Sequence, residues 1–165
     1  MHYFIICLSI IIKQHFSAQI CSNFRTSAIL NEEMKIKRID HIVLPVSDLE
    51  AAARFYHETF DMPLINDQSD DSVRTLRCGH QLIRLVETSE LKARKQKAAS
   101  ICPGACDLCI VSGDKMKDII NHLKSYFVEI IEGPVERYGS EGKMESIYIH
   151  DLDSNLIEIS VYENK

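Results

Sequence analysis

The sequence has no extended cluster of basic residues. The 165-residue chain carries 19 Lys and Arg against 24 Asp and Glu, a formal net charge of −5, and its pI is about 5.8. The one basic run, KARKQK at residues 92–97, is more typical of a solvated linker than of a binding patch. The composition therefore argues against a nucleic-acid-binding protein.

The N-terminal hydrophobic run is too short to cross a membrane. YFIICLSIII, residues 3–12, has ten residues, whereas a spanning helix needs about 20. The run also lacks the basic start and small-residue cleavage site of a signal peptide. We predict that residues 1–35 are an N-terminal extension: disordered, a targeting segment, or upstream of an alternative start at Met34. The expected location is cytoplasmic, with a mitochondrial location as the alternative.

The six cysteines do not form a complete zinc motif. There is no second C-x-x-C to accompany Cys106 and Cys109, and zinc sites of this type need two pairs. If ACDLCIV is a strand, these two side chains point to opposite faces and cannot hold one ion. We therefore expect free, buried thiols in a reducing compartment.

The rest of the chain repeats one order of elements. The first half predicts a strand at 36–46, a helix at 47–60 and short strands at 62–66, 72–78 and 80–87. The second half predicts a strand at 105–112, a helix at 113–126 and strands at 127–131, 144–150 and 155–163. The prediction is an α+β domain at 36–163, built from tandem βαβββ modules at 36–95 and 104–163.

The two halves align residue by residue. When residues 40–65 are placed over 106–131, His41 falls on Asp107, and when 81–87 are placed over 155–161, Arg84 falls on Glu158. If the two sheets pack about a pseudo-twofold axis, equivalent in-strand positions converge on a shared cleft. The four polar residues at these positions are therefore the candidate site.

Three stretches, in this order and spacing, resemble the vicinal oxygen chelate superfamily: DHIVLPVSDLEAAARFYHETFDM, PGACDLCIV and YIHDLDSNLIEIS. This superfamily includes glyoxalase I, extradiol dioxygenases and bleomycin-resistance proteins. The resemblance, over residues 36–163, implies a glyoxalase/bleomycin-resistance-type open barrel around a metal and substrate cavity. It also implies metal ligands on the first and last strand of each module. His41 and Glu158 match such ligands, and Asp107 stands where many members have a second histidine.

Arg84 departs from this pattern, because it stands where glyoxalase I has a glutamate. A guanidinium has no lone pair to give to a metal, so two arrangements remain open. In the first, His41, Asp107 and Glu158 hold a divalent ion (Mg, Mn, Fe, Ni or Zn), and Glu158 also acts as a catalytic acid/base. In the second, the cavity is metal-free and Arg84 pairs with Asp107 and Glu158.

Two functions are therefore expected from the resemblance. The first is a metal-dependent lyase, isomerase or dioxygenase acting on a small oxygenated metabolite, though not classical glyoxalase I, because Arg84 removes one carboxylate. The second is a non-catalytic protein that binds a small molecule, as the bleomycin-resistance branch does. The two modules pair either within one chain or by exchange in a homodimer.

Overall fold

The computed structural model describes residues 33–65 and 70–163. The chain divides into two units, residues 1–37 and residues 38–165. The extension predicted at 1–35 lies almost entirely outside the described residues. In the first unit, residues 33–37 are exposed and belong to no helix or strand. Within the described ranges, no helix has both the length and the apolar character to cross a membrane.

The first module forms a four-stranded sheet with one long helix. Its elements are β1 (His41–Val46), α1 (Leu49–Phe60), β2 (Leu64–Ile65), β3 (Val73–Cys78) and β4 (Gln81–Glu87). A short helix, α2 (Thr88–Ala93), follows. The strand order is β1-β4-β3-β2, with β1 parallel to β4 and the other pairs antiparallel. We call this the first sheet.

The second module repeats this topology. Its elements are β5 (Asp107–Val111), α3 (Met116–Ser125), β6 (Glu132–Gly139), β7 (Gly142–His150) and β8 (Leu156–Tyr162). The strand order of this second sheet is β5-β8-β7-β6, again with the first and last strands parallel. The predicted α+β fold of two open βαβββ modules is confirmed.

Each sheet packs one face against its helix because apolar residues alternate along its strands. On β1, Leu44 and Val46 are buried, whereas His41 and Val43 are exposed. Helix α1 begins where the Asp48 side chain accepts a hydrogen bond from the backbone N–H of Ala51, at 2.9 Å. The buried stripe of α1 comprises Leu49, Ala52, Ala53, Tyr56 and Thr59.

Two details differ from the sequence alignment. The gapless overlay pairs Tyr56 with His122, but the buried positions Leu49, Ala52 and Tyr56 match Met116, Ile119 and Leu123 in spacing. Helix α3 is therefore displaced by one residue relative to the overlay.

Residues 127–131 were predicted as a strand, but they belong to no regular element, and β6 begins only at Glu132.

The two long helices share one core. Buried side chains of α1 and α3 form a single cluster with the inward residues of both sheets. Nε2 of His122 on α3 lies 3.0 Å from the carbonyl oxygen of Thr59 on α1. If the two sheets enclosed a barrel within one chain, the helices would instead lie on the outer surface of that barrel, separated from each other by the sheets. Each sheet thus has an outer face, defined here as the face directed away from α1 and α3.

Candidate functional site

His41 and Arg84 lie together on the outer face of the first sheet. Arg84 pairs in register with Val43, two residues after His41, and its Nη1 lies 3.5 Å from His41 Nε2. On the other side of the ring, His41 Nδ1 lies 3.0 Å from Asp40 Oδ1. Because a carboxylate can only accept, Nδ1 carries the proton and Nε2 of the neutral ring keeps its lone pair. The hydrogen bond from His41 holds the pKa of Asp40 below its ordinary value.

Asp107 and Glu158 lie on the outer face of the second sheet. Asp107 is the exposed first residue of β5, and the half-buried Glu158 pairs in register with Cys109. This arrangement repeats that of His41 and Arg84 in the first sheet, as the sequence overlay predicted. The structure therefore places the four candidate residues as two pairs, one on each sheet.

A chain of hydroxyl groups supports Glu158. Ser160 donates a hydrogen bond to Glu158 Oε1 at 3.3 Å, and Ser146 Oγ lies 2.8 Å from Ser160 Oγ. Because Ser160 has one proton and gives it to Glu158, Ser146 must donate to Ser160. Both serines are fully buried, so this network fixes Oε1 and leaves Oε2 of Glu158 for other partners.

Tyr148 and Arg137 extend the polar surface beside Glu158, and sequence analysis missed both. Tyr148 pairs directly with Glu158 across β7 and β8. Arg137 Nε donates to Tyr148 Oη at 2.9 Å, and the Arg137 guanidinium also pairs with Glu132 at 3.0 Å. Burial raises the pKa of Tyr148, and the charge of Glu158 adds to the rise. Tyr148 therefore keeps its proton at neutral pH.

Cys109 shares this face but is not an activated thiol. Its Sγ lies 3.3 Å from Ser160 Oγ. Burial raises the pKa of the Cys109 thiol; the Ser160 hydrogen bond opposes the rise, and Glu158 and Asp107 add to it. A protonated thiol is a poor nucleophile. Cys106 instead packs against the helix-side core, so the two cysteines do not converge. The cysteines of the described ranges are free, as predicted, but the prediction that they are buried is wrong, because Cys102 and Cys109 are exposed and the other two are half-buried.

The two pairs do not meet within one chain. Among the described residues, no group of three or more His, Cys, Asp or Glu is placed to hold a metal ion. In the same ranges, the one side chain bonded to Arg84 is His41, and no carboxylate lies within 4.0 Å of Arg84. Neither the predicted metal site nor the predicted Arg84 ion pair is formed by a single chain.

The donor atoms nevertheless suit a divalent ion. One imidazole nitrogen and two carboxylates form a mixed set typical of Mg, Mn, Fe, Ni or Zn sites. His41 Nε2 keeps a lone pair, which accepts from Arg84 Nη1 at 3.5 Å and would have to exchange that contact for a metal, and Glu158 has one oxygen outside the serine network. The residues therefore fit a metal, provided that the two outer faces are brought together.

Comparison with known proteins agrees with this architecture. Residues 38–159 match the family described as the Glyoxalase/Bleomycin resistance protein/Dioxygenase superfamily. Virulence protein STM3117 from Salmonella typhimurium is 39% identical over 130 residues, which span 79% of this chain and 88% of that protein. Its crystal structure superposes with a TM-score of 0.72 and covers 78% of this chain and 99% of that chain.

Two further proteins are similar over the same region. Glyoxalase domain-containing protein RDO1 from Mycosarcoma maydis is 33% identical over 132 residues, covering 80% of this chain and 72% of that protein. TnmS3, an antibiotic binding protein from Streptomyces, shares the fold at a TM-score of 0.60 and 24% identity, covering 78% of this chain and 98% of that chain. On its sequence match, its two-sheet topology and these relatives, the chain belongs to the Glyoxalase/Bleomycin resistance protein/Dioxygenase superfamily.

Proposed function

We propose that two copies of the chain form a homodimer in which the first sheet of one copy faces the second sheet of the other. Each of the two resulting cavities would bind a divalent metal and a small oxygenated metabolite, and the protein would act as a lyase, isomerase or dioxygenase. The observation that carries this proposal is that α1 and α3 share one core, so that, among the described residues, each outer face carries only half of the site.

Charge complementarity supports pairing of unlike sheets. The strand residues of the first outer face include Arg77 and Arg84 and no carboxylate. The corresponding residues of the second outer face include Glu132, Asp107 and Glu158, with Arg137 as the one arginine. Opposite potentials favour contact between a first and a second sheet and disfavour contact between two like sheets. A twofold dimer then contains two identical cavities.

Exposed apolar residues on both outer faces also support a partner. Val43 is 42% exposed on the first outer face, and Val111 is 55% exposed on the second. Val43 lies in the middle of β1, and Val111 is the last residue of β5. The opposite face of each strand packs against the core. Contact with a second copy would remove this apolar surface from water.

In the proposed mechanism, His41 of one copy and Asp107 and Glu158 of the other would hold the metal. When bound, the ion supplies Lewis-acid stabilisation of negative charge on a substrate oxygen. Asp40 orients the His41 ring, and the serine network holds Glu158 so that Oε2 can take or return a proton. Arg84 donates hydrogen bonds to a substrate oxygen from the side of His41. The reaction of glyoxalase I is not proposed, because Arg84 replaces its second carboxylate.

A metal-free binding protein is the second candidate, and Arg84 is the observation that favours it. A guanidinium 3.5 Å from His41 Nε2 repels a cation bound to that nitrogen. In this case, Arg84 of one copy would pair with Asp107 and Glu158 of the other, inside a cavity that binds a small molecule without converting it.

Elemental analysis of the full chain, purified without chelator, separates the two candidates. The metal hypothesis predicts about one divalent ion per chain, since a twofold dimer has two sites. It also predicts loss of the ion in His41→Ala and in Glu158→Gln, with retention in Glu145→Gln, an exposed glutamate on β7. A chain that binds none of Mg, Mn, Fe, Ni or Zn would contradict it and favour the metal-free cavity.

A further inference from the structure

A cleft lies beside β1, outside the four residues of the candidate site. It has a volume of about 610 Å³ and runs between β1, α2 and the connection from α2 to β5. Its apolar lining residues include Val43, Leu44, Pro45, Leu91, Ile101 and Ala105. This volume lies within the range of about 300–1,000 Å³ that is usual for sites of small organic ligands.

The charged residues of the cleft have one sign. Its lining includes Arg94 and Lys97 and no Asp or Glu. Lys97 Nζ donates to the carbonyl oxygen of Lys92 at 2.5 Å, and no carboxylate of the described ranges lies within 4.0 Å of it. The ammonium therefore has donors left for an anion.

Arg94 is also only partly satisfied. Its Nη2 lies 3.6 Å from Asp70 Oδ2 and donates to Ser72 Oγ at 3.3 Å. Its Nη1 and Nε have no partner among the described residues, so N–H donors remain available to a carboxylate or sulfonate. Two cations over an apolar floor suit a molecule with an apolar body and one anionic end.

The cleft adjoins the first-sheet half of the candidate site. Val43 lines the cleft and pairs in register with Arg84, and it lies two residues from His41 on the same face of β1. A ligand in the cleft can therefore extend along β1 toward His41 and Arg84.

We propose that this cleft binds an apolar monoanion, with the anionic group at Arg94 and Lys97 and the apolar body against Val43, Leu91 and Ile101. The protein then selects amphipathic acids among small metabolites. Binding in the cleft does not depend on a metal ion; only the placement of the far end of the ligand beside His41 rests on the proposed function.

The test uses the full chain with chelator present and 8-anilinonaphthalene-1-sulfonate as a fluorescent apolar anion. We expect saturable binding that decanoate displaces and that decanol and decylamine displace much less. Lys97→Glu should weaken binding by about fivefold or more. The matched control is Lys95→Glu, which makes the same charge change two residues away, outside the cleft lining, and should bind as the unmodified chain does.

Several results would overturn the proposal. They are absence of saturable binding, equal displacement by decylamine and decanoate, and equal weakening by Lys95→Glu and Lys97→Glu, since the last two indicate non-specific attraction. Both variants lie in an exposed connection and should melt at the temperature of the unmodified chain. Decanoate binding by a chain that holds no metal would support the cleft and remove only the metal centre of the proposed function. Metal binding without decanoate binding would overturn the cleft proposal and leave the metal centre of the proposed function in place.

Discussion

At the scale of single residues, Asp40 determines which nitrogen of His41 carries the proton. Its carboxylate, which is ionised at neutral pH, accepts the Nδ1 proton at 3.0 Å, and that bond lowers the pKa of Asp40 below its ordinary value. Carboxylates in this position orient metal-binding histidines and increase their basicity. Asp40 is thus a positioning residue for the proposed metal ligand.

Asp40→Asn should lower metal affinity by about tenfold. The amide oxygen can still accept from Nδ1, but the negative charge that favours a cation on Nε2 is lost. The measurement is calorimetric titration with the ion found in the elemental analysis. Asp61→Asn, the same change at the end of α1, is the control and should leave affinity unchanged. Equal affinities for Asp40→Asn and the unmodified chain would show that Asp40 does not act through His41.

The internal repeat predicted the four candidate residues but not their neighbours. The alignment of the two modules places His41 on Asp107 and Arg84 on Glu158. This equivalence is visible in the sequence because the strands that carry these residues align between the modules. Tyr148 comes next to Glu158 only through the register of β7 and β8. A strand's register depends on its pairing partner rather than on its own sequence, so Tyr148 and Arg137 could not be identified beforehand.

At the scale of elements, a buried hydrogen bond joins the two modules. Tyr56 on α1 donates to Asp151 Oδ2 at 2.8 Å, and both groups are buried. Asp151 also accepts from the backbone N–H groups of Asp153 and Asn155 and from the Asn155 side chain, at 2.8–3.0 Å. The stretch DLDSN is therefore a tight turn that anchors α1 to the start of β8.

Tyr56→Phe should lower the free energy of unfolding by about 1–2 kcal/mol near neutral pH. The phenol of Tyr56 has its pKa raised far above the ordinary 10.0, mainly by burial and also by Asp151. Below about pH 10, Tyr56 is protonated in both states; above it, the unfolded chain ionises first, so this stabilisation is lost as the pH rises.

Urea unfolding at about pH 8 and about pH 10.5 measures both effects. The unmodified chain should lose more stability between the two pH values than Tyr56→Phe does. Tyr126→Phe, which removes the hydroxyl of an exposed tyrosine, should behave like the unmodified chain. An identical pH dependence for all three proteins would contradict the assignment to Tyr56.

The two long helices and most strands were predictable, because the spacing of their apolar residues is regular. The short helix α2 was not predicted, and the segment after α3 was predicted wrongly. Its apolar residues at 127–131 suggested a strand, but Phe127 adopts a left-handed conformation with φ 57° at the helix end and is 95% exposed. Strand β6 instead contains Gly133, Pro134 and several charged residues, a composition that disfavours strands. Backbone pairing with β7 outweighs that local preference.

At the scale of the whole molecule, the direction of the two outer faces determines whether one chain can complete the proposed site. The sequence indicated that both sheets contribute to a cavity, and it left open whether they meet within one chain. That question depends on the packing of α1 against α3, which buries residues of both helices in one core. Contact between helices from different modules depends on long-range packing, which the residue pattern within one module does not predict. The proposed dimer follows from it.

Combining, in one mixed dimer, two variants that are each expected to lose the metal tests the composite site most directly. His41→Ala and Glu158→Gln are co-expressed with different affinity tags, and the mixed dimer is purified through both tags and analysed for metal. If the site joins two copies, one cavity of the mixed dimer carries both substitutions and the other carries neither. The expected content is about one ion per mixed dimer, half that of the unmodified dimer, and none in either variant alone. A mixed dimer without metal, alongside a metal-loaded unmodified dimer, would contradict the composite site and place each metal within a single chain.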